Sequence, residues 1–402
     1  MISFNDILEA RERIKRQIIK TPTTFSSTLS AMVKCNVHLK LENLQLTGAY
    51  KVRGALNRLE QLSDEEKANG VIASSAGNHA QGVALAAKKL GIKATIVMPE
   101  TTPLSKIQGT KKFGAEVILH GNVYDEAYEK ALELQKIHNQ TFIHPFNDNA
   151  IIAGQGTIGL EIFEDIENLD IVVIPIGGGG LISGCALALK TLKPSIRIIG
   201  VEAAQMPAMK TSIENGKITT IPKAKTIADG IAVTTIKENT FEIVQKYVDE
   251  IVTVSEAEIA HAIMMLLEVE KVLTEGAGAC AFAALASGKI SDIKSKNVGV
   301  IVSGGNLDLN FLSKVIDRGL TADGRICNLK IIVPDSPGVI ADITTLIAKH
   351  GANIIEIHHN RNFANTHLGE TTVNFSLETK GHKHIDEIIS TLKNSQYKIT
   401  RE

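Results

Sequence analysis

An α/β fold, with mostly parallel sheets covered by helices on both faces, followed by a smaller α+β domain, is what this 402-residue sequence predicts. Three observations predict it. Short runs rich in Val and Ile alternate with helix-length amphipathic stretches through roughly the first 310 residues, and such alternation implies parallel strands joined by helical crossovers. The pattern then changes at "DRGLTADGRIC" (317–327) into a β-α-β-β-α-β order, the split βαβ arrangement. The length also suits two or more domains, taking roughly 100–200 residues for each.

In the first region the strands are expected at "ATIVMP" from 94, "AEVILH" from 115, "IVVIPI" from 171, "IRIIGVE" from 196 and "NVGVIVSGG" from 297. Between them lie stretches such as "NHAQGVALAAKKLG" (78–91), apolar at 3.6-residue spacing and closed by a glycine. After 325 the order is an alternating run "ICNLKIIV", a turn "PDSPG", and a helix whose Val339, Ile340, Ile343, Leu346 and Ile347 share one face. Then come "NIIEIHHN", a strand through "ETTVNFSLET", a helix around "HIDEIISTLK" and a short final strand. The expected boundaries are 1–320, with a smaller subdomain at about 48–145, and 325–402.

Composition narrows the function. Lys and Arg total 43 against 44 acidic residues, so no basic surplus points to nucleic acid. The N-terminal "MISFNDILEARERIKRQIIK" alternates apolar and charged residues and lacks the apolar core of a signal peptide. No stretch approaches the roughly 18 apolar residues of a membrane span. Cys35, Cys185, Cys280 and Cys327 form no C-x-x-C pair and read as reduced packing thiols of a cytoplasmic protein.

Ligands of open α/β sheets bind beyond the carboxyl ends of the strands, so the turns there carry the information. "VIASSAGNHAQG" leads from a strand through Ser74, Ser75, Ala76, Gly77 and Asn78 into a helix at His79. Its unpaired N–H groups suit a carboxylate, or an ordinary helix cap. "IVVIPIGGGGLISG" delivers Gly177, Gly178, Gly179 and Gly180 into a helix near Leu181. Four glycines carry a high conformational-entropy cost, sensible where a phosphate approaches the backbone, or where strand and helix pack tightly. The stretch is neither G-x-G-x-x-G nor a nucleotide P-loop, although Glu202 ends the next strand, so a dinucleotide reading is weakened. "VIVSGGN", with Ser303 and Asn306, and "TEGAGA" (274–279) are turns open to either reading, and "HPFND" (144–148) and "AGQGTIG" (153–159) show no decisive chemistry.

In "LTGAYKVRGA", Lys51 stands at a helix start beside Tyr50. The helix dipole and burial both favour its neutral amine, which can condense with an aldehyde or take a proton. A surface lysine is the alternative. A phosphate cradle, an anion-binding turn and such an amine together suit pyridoxal phosphate.

The motifs "TGAYKVRGA", "SSAGNHAQG", "GGGGLISG" and "VSGGN", in this order over about 320 residues, resemble the threonine dehydratase (threonine ammonia-lyase) branch of fold-type II pyridoxal-phosphate enzymes. The resemblance implies two open, mostly parallel sheets, with Lys51 as the lysine bound covalently to the cofactor. It assigns Asn78 to the pyridine 3′-oxygen, Gly177, Gly178, Gly179, Gly180 and Leu181 to the phosphate, and Ser303 to the ring nitrogen. Ser75, Ala76, Gly77 and His79 fall around the substrate carboxylate. Residues 325–402 resemble an ACT domain of ferredoxin-like order, whose usual role is to bind amino-acid effectors, with the "PDSPGVI" turn (334–340) at the expected site.

The activity so implied is elimination from threonine, and more slowly serine, to 2-oxobutanoate or pyruvate and ammonia, with feedback through the terminal domain. The assembly implied is a homodimer or homotetramer. A hydroxyl at Ser303 makes the ring a weaker electron sink than a carboxylate would, which suits elimination over transamination. Serine racemases of the family carry a serine where this chain has Ala76, so efficient racemisation is not expected. They also bind a divalent ion through a Glu and a downstream Asp; Glu202 is present here but Ala208 takes the other place, and no metal site is expected. A serine-preferring dehydratase, and a non-catalytic phosphate or amino-acid sensor, are the rival readings. The metabolic setting that the resemblance implies is isoleucine synthesis or threonine breakdown.

Overall fold

The computed structural model describes residues 2–361, 367, 369–395 and 397–401. The chain forms two compact units, 1–308 and 309–402.

In the first unit a six-stranded sheet runs in the order Thr23–Ser26, Asn36–Leu41, Asn297–Val302, Ile171–Pro175, Arg197–Ala203, Glu250–Val254. Only the first pair is antiparallel. A second sheet, in the order Glu116–Leu119, Ala94–Met98, Val71–Ser74, Thr141–Phe142, is wholly parallel. Its strands follow from their residues: Val71, Ile72, Ala73, Ile96, Val97 and Met98 are buried on both faces, as continuous apolar runs in a helix-covered sheet should be.

The helix Lys51–Glu60 carries the central lysine and is fixed by two neighbours. It packs with the helix Asn78–Leu90 through Val52, Leu56, Ala80 and Val83, all inside one apolar cluster. Against the helix Asn149–Asp165 it crosses at Gly54 and Gly154, where the Gly54 N–H also donates to Gln155 Oε1 at 3.2 Å. The segment "AGQGTIG" is therefore the seat of the helix that carries Lys51.

Beneath that helix lies a cluster of buried charge. Arg53 grips Glu42 through Nε and Nη2 at 2.9 and 2.7 Å, and Glu161 through Nη1 and Nη2 at 2.6 and 2.9 Å. Lys40, also fully enclosed, reaches Glu161 at 2.6 Å and the Thr21 carbonyl at 2.7 Å. Every charge is paired, as burial demands.

The second unit holds an antiparallel sheet in the order Asn353–Asn360, Glu370–Glu378, Ile326–Pro334, Lys398–Arg401, with the helices Val339–Lys349 and His382–Asn394. Its core gathers Leu329, Ile331, Ile343, Ile347, Val373, Phe375 and Ile388. The helix Leu309–Ala322 clusters with this unit, where the sequence boundary at 320 would have left it with the first. The Ala322 carbonyl accepts from the His382 ring at 2.9 Å, which ties the helix end to the helix His382–Asn394 of the same unit. Among the described residues no helix is long and apolar enough to cross a membrane.

Candidate active site

The carboxyl ends of the strands Val71–Ser74, Ile171–Pro175 and Asn297–Val302 open onto one cavity of about 670 Å³. Its walls include Lys51, Ser75, Ala76, Gly77, Asn78, His79, Gly178, Leu181 and Ser303, so most of the residues singled out in the sequence meet here. A smaller recess of about 20 Å³, bounded by Tyr50, Lys51 and all of Gly177, Gly178, Gly179, Gly180 and Leu181, shares several of these walls.

The turns are stapled by the backbone. Tyr50 N–H donates to the Ser303 carbonyl at 3.2 Å, Gly305 N–H to the Gly48 carbonyl at 2.8 Å, and Glu275 N–H to the Gly304 carbonyl at 3.1 Å. Lys51 is thereby held against the loop that carries Ser303. Its Nζ donates to the Pro145 carbonyl at 3.1 Å and lies 5.2 Å from the Tyr50 ring centroid. Burial pulls its pKa down to about 8, opposed by the carboxylate of Glu275. The lysine in the crowded turn is an amine made easy to deprotonate.

The helix Gly180–Leu192 starts in the recess, and its first N–H groups have no intrahelical acceptor to use. The glycines serve a second purpose that the sequence left as an alternative. A Cβ on Gly178 would collide with the Phe146 ring, on Gly177 would stand 2.9 Å from Ile231 Cα, and on Gly179 2.8 Å from Met209 Cε. The missing side chains admit protein neighbours, while the glycine backbone itself forms a wall of the recess. Phe146 and Pro145 belong to "HPFND", which had shown no chemistry.

Around the helix Asn78–Leu90 the N–H groups divide. Ser75 N–H donates to the Val97 carbonyl of the neighbouring strand at 3.3 Å and Gly77 N–H to Ser75 Oγ at 3.2 Å, so the N–H groups of two of the four residues expected around the carboxylate already have acceptors. His79 is buried, its Nε2 sits 2.9 Å from the Ile143 carbonyl, and burial depresses its pKa to about 3, leaving a neutral ring. Asn78 Nδ2 donates to Glu275 at 2.6 Å, and its Oδ1 accepts from Asn306 at 2.8 Å. Glu275 went unrecognised in the sequence because "TEGAGA" looks like plain helix-start material. Ser303 Oγ lies 3.5 Å from the Ala277 carbonyl, a long contact that leaves the hydroxyl able to serve another partner.

Glu202 has a structural use. Its two oxygens accept the N–H groups of Met209 and Lys210, each at 2.8 Å, capping the helix Ala208–Glu214. Among the described residues no group of three potential ligands gathers as a metal site.

Residues 14–304 match the family of pyridoxal-phosphate dependent enzymes. The chain belongs to this family. Residues 323–399 match the ACT domain. The chain is 47% identical to the L-threonine ammonia-lyase of Thermotoga maritima over 99% of both chains. Among solved structures it resembles the processed form of threonine deaminase isoform 2 from Solanum lycopersicum, at TM-score 0.75 and 40% identity over 78% of this chain and 86% of that one. Maize serine racemase gives the same TM-score at 38% identity, covering 80% and 98%. Pyridoxal phosphate is thus the cofactor of this chain, as of its family, and the residues present fit it. An amine with a lowered pKa, a hydroxyl and an amide line the larger cavity, and the glycine-built helix start bounds the adjoining recess, a donor set whose chemistry suits that group.

Proposed function

We propose that the protein deaminates L-threonine, and L-serine more slowly, releasing ammonia with 2-oxobutanoate or pyruvate, under control of an amino-acid effector bound by the ACT domain. The observation that carries this is Lys51: a lysine with pKa drawn to about 8 beside a glycine-built helix start, in a chain of this family. The full-length similarity to an L-threonine ammonia-lyase supports the choice of substrate.

Lys51 would hold the cofactor, Gly177, Gly178, Gly179, Gly180 and Leu181 its phosphate, Asn78 its 3′-oxygen and Ser303 its ring nitrogen. Bound there, pyridoxal phosphate supplies an electron sink for the α-carbon of an amino acid. The Lys51 amine takes the α-proton, a task for which a pKa near the working pH is suited. The substrate carboxylate is held at the start of the helix Asn78–Leu90, where the dipole and the N–H groups beyond Gly77 favour an anion. The neutral ring of His79 supports that wall without adding charge. Ala76 presents a methyl group to the cavity, so proton delivery from the opposite face, as racemisation requires, has no donor at that position.

In the ACT domain the effector is assigned to the turn before the helix Val339–Lys349, which Gly338 enters with φ +94°. The working assembly is taken as a homodimer or homotetramer. A ketoacid assay on threonine and serine, repeated with isoleucine and with valine, tests these assignments together. Turnover of threonine that survives Lys51→Ala would refute the catalytic part. An unchanged effector response after deletion of residues 309–402 would refute the regulatory part.

A further inference from the structure

Glu275 is a carboxylate with no assigned task, enclosed to within 5% of its surface at the start of the helix Gly276–Ala286. Its Oε1 is the acceptor for Asn78 Nδ2 at 2.6 Å, a length typical of a charge-assisted bond. Asn78 Oδ1 in turn accepts from Asn306 Nδ2, which also donates to the Thr47 carbonyl at 2.7 Å. The chain of bonds thus runs from the turn before Lys51, through the "SGGN" and "SSAGN" turns, to Glu275. Gly304 leaves the space, since a Cβ there would collide with Oε1. With its oxygen turned to Asn306 and one N–H spent on Glu275, the Asn78 amide has a single N–H left to offer the cavity.

We propose that Glu275 is a positioning residue of the cofactor site, fixing the Asn78 amide so that its second N–H faces the bound group, and supplying the negative charge nearest the Lys51 amine. This inference rests on the reading of the cavity as the pyridoxal-phosphate site. A carboxyl group in this position also makes the site pH-sensitive. Burial, with the charge of Asp229 acting the same way, raises its pKa to about 7, against the pull of the Asn78 bond, Lys106 and Lys51. Tyr50 and Cys280 also sense its charge, and both are kept neutral by burial. Glu256, on the neighbouring helix Glu256–Glu270, spends one oxygen on Ile227 N–H. Above the midpoint Glu275 is ionised, accepts strongly from Asn78 and favours the protonated form of nearby nitrogen. Below it, both effects fade.

The test is pyridoxal-phosphate binding to the apoprotein, read by visible absorbance and fluorescence across the pH range bracketing 7, for wild type, Glu275→Gln and Glu275→Leu. Gln keeps the shape and an acceptor but not the charge; Leu keeps neither. Wild type is expected to show a transition in the cofactor's absorbance with midpoint close to 7. Glu275→Gln should bind within about threefold of wild type with that transition gone, and Glu275→Leu should bind on the order of tenfold more weakly. A Glu275→Gln protein that keeps the wild-type midpoint, or a Glu275→Leu protein that binds as wild type does, would overturn the role. Wild type that takes up no pyridoxal phosphate at any pH would instead remove the site reading on which the role stands.

Discussion

Gly54 and Gly154 meet at a helix crossing so close that a Cβ built on Gly154 would stand 2.6 Å from the Gly54 Cα. Gly54 lies three residues after Lys51, on the same short helix. Any wedge at the crossing therefore moves the amine relative to the loop of Ser303. Gly154→Ala is expected to cost about 1–3 kcal/mol of stability, the usual penalty for overpacking a full core. It should also weaken pyridoxal-phosphate binding. Urea unfolding and a cofactor titration measure the two effects, and unchanged values in both would contradict the crossing as drawn.

Arg53 anchors the same helix from below, with Glu42 and Glu161 sharing its guanidinium. Replacing it by methionine leaves Glu42 without its cation, while Glu161 retains Lys40. Breaking one partner out of a buried ionic group costs about 3–5 kcal/mol, because the orphaned charge stays enclosed. Arg53→Met should show that loss in urea unfolding with an unchanged slope. The double variant Arg53→Met, Glu42→Gln should recover part of it, since the stranded charge is gone. Additive losses would show that Arg53 and Glu42 do not act as one unit.

What the sequence revealed follows from what is local. The strand Ile171–Pro175 and the tetraglycine turn sit together in one continuous stretch, so apolar run, turn and helix start could be read in order. Lys51 drew notice through its neighbours Tyr50, Gly48 and Gly54. Glu275 and Pro145 could not be found this way. Their contacts to Asn78 and Lys51 join residues far apart in the chain, and a lone Glu before Gly-Ala-Gly has no periodicity to mark it. The use of the glycine turn was likewise only half legible, because Phe146 and Ile231 reach it from separate loops. Long-range neighbours are set by topology, and topology alone brought "HPFND" over the recess.

The lowered pKa of Lys51 has a sign that can be checked. The unfolded chain carries this lysine near its ordinary 10.5, the folded one near 8. Between these values the unfolded state binds more protons, so the stability of the apoprotein should rise as pH climbs from about 8 to 10.5. Lys51→Met should lose that increment between about 8 and 10.5. The rate of pyridoxal-phosphate uptake should rise with the neutral-amine fraction and level off just above 8. Stopped-flow uptake that instead keeps climbing towards 10.5 would mean that the amine is as solvated as any surface lysine.

Lys106 and Asp229 form an ion pair between the helix Leu104–Lys111 and the turn Asp229–Ile231, and both line the cavity. The helix follows a strand of the four-stranded sheet, while the turn, through Ile231, touches the glycine loop. Partly exposed pairs of this sort contribute about 0–1 kcal/mol, so Lys106→Met should leave thermal unfolding almost unmoved. Both partners line the cavity, so the expected effect of breaking the pair is on substrate binding. KM for threonine should rise severalfold in Lys106→Met and in Asp229→Asn, and the double variant should be no worse than either. Salt screens an exposed pair, so the wild-type KM should drift upward with ionic strength while the Lys106→Met value stays flat. A KM that responds to salt equally in both proteins would detach this ion pair from substrate access and leave it a surface contact.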